Sequence, residues 1–159
     1  GVRGGRELKA VIPGGSSVPV VPAATMLETN MDFDSITKAG SMLGSGAVIL
    51  MDDSTDMVRA LQRISRFYMS ESCGQCTPCR EGTGWLYRMV TRFLDGEATL
   101  ADLERLDHAA GRIEGRTICA LGDAAAMPVR SFLKHFRPEF EHYVEHGRSM
   151  IDERPSRAA

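Results

Sequence analysis

Four cysteines dominate the chemistry open to this chain: Cys73, Cys76, Cys79 and Cys119. Three fall in the run Cys73-Gly-Gln-Cys76-Thr-Pro-Cys79, and the fourth follows 40 positions after the third. A disulfide framework admits three connectivities, but a chain of 159 residues with only four cysteines has no need of staples. The economical reading is four thiolates converging on one metal centre. Structural zinc sites bring their cysteines as two separated C-x2-C pairs. A C-x2-C-x2-C run plus a remote cysteine is instead the ligand pattern of a cubane iron–sulfur cluster. A short loop with a ligand at every third residue wraps one side of a cube, and the last corner comes from elsewhere in the chain. Soft thiolates suit both zinc and iron–sulfur clusters. Zinc and free, redox-active thiols therefore stand as the competing readings.

The local charge agrees with an anionic group. Between Arg59 and Arg92 there are six arginines against two acids, Glu71 and Glu81, in a chain whose net charge is −2. Most of these arginines fit the solvated face of a helix. Arg80, next to Cys79, is the one we assign to the surroundings of the centre.

These ligands need elements to hold them. Residues 1–52 are rich in β and loop signals. Residues 8–12 form a strand pattern, 13–17 a turn, and 18–22 an extended edge path because of Pro19 and Pro22. Residues 47–51 form a buried-strand candidate. Gly44 and Gly46 do not complete a G-x-G-x-x-G, so a tight turn is expected there and not a phosphate loop. From Ser54 the pattern turns helical, with Met57, Leu61, Ile64 and Tyr68 in one stripe and Asp53 or Ser54 as cap. A second helix is expected over 80–94, burying Trp85, Leu86, Met89, Val90 and Phe93. A third should start at a capping box, Thr99 with Asp102, and run to Ile113 through Leu100, Leu103, Leu106 and Ala110. Asp123 should cap a fourth helix bearing Phe132, Leu133 and Phe136, and Pro138 should open a short last one. The tail from Gly147 is expected to be loose. This predicts an α+β chain with its cysteines at helix junctions, two of them helix N-termini whose partial positive charge favours an anion. By the cross-link entropy relation, closing a loop of the Cys79–Cys119 size contributes roughly 4 kcal/mol. The chain without its metal is therefore expected to be loose or unfolded.

Composition bounds the rest. Hydrophobic residues make up 43% and charged residues 25%, ordinary values for one domain with a real core. The slight negative charge argues against a wholly basic nucleic-acid-binding surface. The longest strongly apolar run, 47–51, is far too short to span a bilayer, and no signal-peptide pattern is visible. The chain opens on Gly1 in mid-pattern, which we read as a piece of a longer polypeptide. His142 and His146 have metal-pair spacing, but no third ligand is evident and a solvated face is the better reading. His108 and His135 have no motif around them. Asp102, Glu104 and Asp107 fit the wet face of the third helix, and Met57, Met69 and Met89 its neighbours' apolar stripes.

The segment Glu71-Ser-Cys73-Gly-Gln-Cys76-Thr-Pro-Cys79-Arg80-Glu-Gly82-Thr, together with Thr117-Ile-Cys119-Ala-Leu-Gly122-Asp123, closely resembles the flavoprotein subunits (the F subunits) of bacterial NADH-quinone oxidoreductase, respiratory complex I, in their C-terminal part. His135-Phe-Arg-Pro-Glu-Phe-Glu141 resembles the family's last helix. The resemblance covers nearly the whole chain. It implies that 1–53 is the C-terminal part of a soluble-ligand-binding β-grasp (SLBB) domain, 54–147 an iron–sulfur-binding bundle of the four-helix type, and 148–159 a loose tail. It implies a [4Fe–4S] cluster on Cys73, Cys76, Cys79 and Cys119, taking electrons one at a time from FMN reduced by NADH. It implies transfer onward to neighbouring peripheral-arm subunits, a thioredoxin-like 2Fe–2S subunit and a large iron–sulfur subunit, on the cytoplasmic side of the inner membrane. The glycine-rich NADH and FMN loops of the family lie outside this chain, so no catalytic, NADH or FMN residue is carried over, and the chain alone is expected to be inactive as a dehydrogenase. The flavoprotein subunits of NAD-reducing hydrogenases and formate dehydrogenases share the cysteine motif and form the alternative. Met127 stands where the family leads one to expect a tryptophan.

Overall fold

The structure is a computed structural model and describes residues 2–152. A small antiparallel sheet comes first. Strand β1 (Leu8–Ile12) is central, flanked by β2 (Val21–Pro22) and β3 (Ile49–Asp52) in the order β2-β1-β3. Pro22 sits on an edge strand, opposite Ala10, where its missing N–H costs no ladder bond. Ala10 and Ile12 pack toward the long helices, while Val11 faces the other side. Strict alternation would put Leu8 with Ala10. A bulge between Leu8 and Ala10 re-aims Leu8 into the cluster of Val11, Val21, Met26 and Ile36.

That second cluster is roofed by two short helices, α1 (Ala23–Leu27) and α2 (Phe33–Lys38), in a stretch where the sequence carried no readable period. The carboxylate of Asp32 caps α2 by accepting from Ser35 N. The expected turn at Gly44 and Gly46 is present, closed by Gly46 N donating to the Leu43 carbonyl. It packs backbone to backbone on the β1–β2 turn. A Cβ on Gly14 would lie 2.4 Å from Met42 O, and one on Gly44, at φ +50°, would lie 2.4 Å from Gly14 O. Strand β3 corrects the expectation of a buried strand over 47–51. It starts at Ile49, lies on the sheet edge, and buries only Met51, with Leu50 58% exposed. An apolar run signals strand propensity, but burial also needs a layer on each face.

Four long helices follow: α3 (Met57–Glu71), α4 (Thr77–Leu94), α5 (Leu100–Ile113) and α6 (Leu121–His146). They run up and down in alternation. Gln62 meets Thr91 between α3 and α4, and Arg137 meets Glu104 while Arg130 meets Glu114 between α5 and α6. Their shared core holds Met57, Leu61, Leu86, Leu103, Leu106 and Phe132, with Phe93 and Phe140 edge to face at 5.5 Å.

Several boundaries differ from the expectation. Asp56 caps α3, accepting from Arg59 N, while Asp52 accepts from Ser54 and Thr55 in a turn of its own. Helix α4 starts at Thr77, because Pro78 fits a first turn where its missing N–H is harmless. Trp85 is 55% exposed, since Leu86, Val90 and Phe93 define a stripe on which it does not fall. Asp102 lies on no wet face. It is buried, accepts from Thr99 N and Oγ1, and pairs with Arg105 and Arg92. Burial pushes its carboxyl up, but the Thr99 amide, the Arg105 guanidinium and the Thr99 hydroxyl outweigh it and hold it below the ordinary carboxylate range. The expected fourth and fifth helices are one helix, α6, bent at Phe136 two residues before Pro138. Gly147, at φ +66°, ends it. Residues 147–152 are partly docked, with Ser149 buried, and the rest of the expected tail lies outside the described residues.

A buried polar cluster ties sheet to helices. Lys9 Nζ lies 2.5 Å from Glu139 Oε1 and donates to Thr55 O, and Glu139 Oε2 accepts from Met57 N at the start of α3. Nearby, Tyr143 donates to Asp56. Val20 N donates to Ser131 Oγ, a further tie between the β2 segment and α6.

Candidate metal centre

The up-and-down path of the helices brings the C-terminal ends of α3 and α5 to the same end of the molecule as the N-terminal ends of α4 and α6. Both cysteine-bearing connections lie at that end. Cys73 and Cys76 sit between α3 and α4, with Cys76 in the N-cap position of α4. Cys79 sits inside the first turn of α4 and is buried, while Cys73 and Cys119 are exposed. Cys119 lies between α5 and α6, two residues before α6 begins. The expectation of cysteines at helix junctions holds for Cys73, Cys76 and Cys119, while Cys79 lies inside α4 because that helix starts three residues earlier than expected.

Two glycines let these ends meet. A Cβ on Gly82 would stand 2.6 Å from Cδ1 and Cγ1 of Ile113, so α4 touches the last residue of α5 there. A Cβ on Gly122 would stand 2.3 Å from Cγ2 and 2.5 Å from Oγ1 of Thr117, so α6 touches the Cys119 loop. Each glycine follows a cysteine by three residues, Cys79 and Cys119 respectively. That Cys-x-x-Gly spacing is the sequence signal for them, and it acquires meaning only once the helix ends are seen to converge.

Side chains then brace each loop. Arg80 Nη1 donates to the Gly74 carbonyl at 3.1 Å and Nη2 to Thr77 Oγ1 at 3.3 Å, while Nε pairs with Glu81. Gly74 holds φ +80°, a conformation costly for any residue with a Cβ. Thr83 Oγ1 donates to the Cys79 carbonyl at 2.8 Å, and Ser72 Oγ lies 3.2 Å from Cys79 Sγ. On the other loop, Thr117 Oγ1 donates to the Cys119 carbonyl at 2.8 Å. Asp123 accepts from Gly115 N at 2.6 Å, which ties the end of α5 to α6 and replaces the cap expected of it. Arg80 thus lies where the sequence reading put it. Arg92, by contrast, serves the far end of α4, where it donates to Glu97 O.

The donor chemistry fits a thiophilic group: four cysteines, none in a disulfide, three on one connection and one on the other. The structure does not close them into a ligand set. Among the described residues no group of three or more His, Cys, Asp or Glu side chains is arranged to hold a metal ion. The histidines form no alternative site. His142 is buried, not solvated, and stacks on His146 with ring centroids 4.2 Å apart. His108 accepts from Arg112. His135 is half-buried, and burial and then Lys134 push its pKa down.

Residues 59–143, which include all four cysteines, match the family described as the NADH-ubiquinone oxidoreductase-F iron-sulfur binding region. The chain is 55% identical over 146 residues to the F subunit of NADH-quinone oxidoreductase from Rickettsia bellii (strain OSU 85-389), covering 91% of this chain and 35% of that protein. It is 54% identical over 152 residues to the F subunit from Rickettsia felis, covering 95% and 36%. The chain thus spans about a third of the length of these curated relatives. Among solved structures, an NAD+-reducing [NiFe]-hydrogenase in the H2-reduced state matches with a TM-score of 0.78 at 32% identity, over 87% of this chain and 24% of that one. With the match spanning both cysteine-bearing connections and more than half its residues, the chain belongs to the family of the NADH-ubiquinone oxidoreductase-F iron-sulfur binding region.

Proposed function

We propose that the chain is the electron-carrying part of an NADH-quinone oxidoreductase F subunit, with Cys73, Cys76, Cys79 and Cys119 as the ligands of a [4Fe–4S] cluster. The observation that carries this is the gathering of both cysteine-bearing connections at one end of the helices, inside the matched region. Bound there, the cluster supplies a one-electron carrier between FMN, reduced by NADH, and the iron–sulfur groups of neighbouring subunits. The protein's part is to hold and surround it. Cys79 is the pre-set ligand, buried and anchored through Thr83, and Arg80 fixes the turn that carries Cys73 and Cys76. The N-termini of α4 and α6 direct their partial positive charge toward a group made anionic by four thiolates.

In this reading, 1–53 is the C-terminal part of an SLBB-like β-grasp domain, 54–147 the four-helix-type cluster-binding bundle and 148–159 the tail. NADH and FMN bind in the part of the relatives that this chain does not span. The partners are the thioredoxin-like 2Fe–2S subunit and the large iron–sulfur subunit, and the site of action is the cytoplasmic face of the inner membrane. Among the described residues no helix is long and apolar enough to cross that membrane. The likeness to the hydrogenase supports a second reading, the matching subunit of an NAD+-reducing hydrogenase, but 55% identity against 32% favours the first.

The test is an anaerobic absorption spectrum of the full chain with iron and sulfide analysis. About four irons and four sulfides per chain, with a broad visible band bleached by dithionite, are expected, and Cys119→Ser should abolish them. A colourless protein carrying a single zinc would overturn the proposal.

A further inference from the structure

We infer that Ser72 is a positioning residue that sets the reduction potential of the centre by donating its hydroxyl hydrogen bond to Cys79 Sγ. The inference rests on the [4Fe–4S] reading above. Ser72 Oγ and Cys79 Sγ are 3.2 Å apart, within hydrogen-bond reach for sulfur. Either atom could donate while Cys79 is a thiol. As a metal ligand Cys79 is a thiolate with no proton, so Ser72 is then the donor. Both partners are held from outside the pair. Ser72 is the C-cap of α3, its N–H bonded to Tyr68 O. Cys79 is 5% exposed, lies inside α4, and its carbonyl accepts from the buried Thr83 hydroxyl. The half-buried hydroxyl therefore stands ready beside a buried sulfur, where a hydrogen bond counts for more than in open solvent.

The physical consequence has a definite sign. Reduction adds one electron and forms or breaks no bond in the protein, and Ser72 keeps its proton throughout. The added electron makes the ligand sulfurs more negative, so a donated hydrogen bond strengthens on reduction and raises the potential. No other side-chain hydrogen bond to a cysteine sulfur occurs among the described residues; Thr83 and Thr117 bind carbonyls instead.

The experiment compares wild-type, Ser72→Ala and Ser72→Thr in the full-length subunit within its assembled complex, by an EPR-monitored redox titration with iron and sulfide counts. The expected result is full cluster content in all three, a lower midpoint potential in Ser72→Ala, and a wild-type midpoint in Ser72→Thr. An unchanged midpoint in Ser72→Ala overturns the inference, as does a shift that Ser72→Thr shares. Loss of the cluster in Ser72→Ala also overturns it, because a hydroxyl that only tunes the potential is not needed for loading. A wild-type protein without a cubane signal would instead overturn the proposed function, so the two failures are distinct.

Discussion

Removing the Glu139 carboxylate should be the most damaging single change far from the cysteines. Glu139 is 6% exposed and sits on α6 beyond the bend. It meets Lys9 of β1 at 2.5 Å and accepts from Met57 N at the start of α3. Glu139→Ala would leave the Lys9 ammonium, 12% exposed, without its carboxylate. Breaking one side of a buried pair costs about 3–5 kcal/mol, chiefly because the surviving charge stays desolvated. At roughly 2–4 °C per kcal/mol for a domain of this size, the melting midpoint should fall by about 6–20 °C. Lys9→Met in the Glu139→Ala background should recover most of the loss, since it removes the stranded charge. The assay is urea and thermal unfolding of wild-type, Glu139→Ala, Lys9→Met and the double variant, followed by circular dichroism. A Glu139→Ala cost below about 1 kcal/mol, the range of an exposed pair, would refute the reasoning. So would a double variant no more stable than Glu139→Ala.

Gly122→Ala should lower the iron content of the purified chain, because its methyl would stand 2.3 Å from Thr117 Cγ2 and push the Cys119 loop outward; iron per chain equal to wild-type would refute this. Alkaline stability should depend on Tyr143, whose phenol is pushed up to about 12 by burial and then by its bond to Asp56. A raised folded pKa stabilises fully below the unfolded value of about 10 and is lost as pH rises toward 12. Tyr143→Phe should therefore flatten the fall in melting temperature between those values, and an unchanged profile would count against it.

Much of the site was legible before any fold was known. The run Cys73-x2-Cys76-x2-Cys79 with Cys119 carries its chemistry in its spacing, because ligand loops are local. The Thr99–Asp102 cap and the stripe of Met57, Leu61 and Tyr68 are equally local, repeating within one or two turns. Helices α1 and α2 were not legible, since five or six residues hold too little period to see. Pro138 read as a helix start but acts as a bend, because packing on both sides of Phe136 keeps α6 continuous where local rules would stop it.

That three thiols lie in one short run and a fourth stands apart, a donor set suited to a thiophilic group, follows from the order of residues alone. Which end of the molecule receives them follows from the packing of helices distant in the chain, Gly82 of α4 on Ile113 of α5, while Gly122 against Thr117 and Asp123 on Gly115 fasten the connection that carries Cys119. Packing also gives several ambiguous side chains their meaning. Trp85 faces out, Asp102 is buried among cations, and Ser72 lies against the Cys79 sulfur. The physical reason is one of range. Donor type, capping and turn chemistry act over a few residues and are written in local order. Burial, charge pairing and the approach of two loops depend on the packing of whole helices, which no short window of sequence contains.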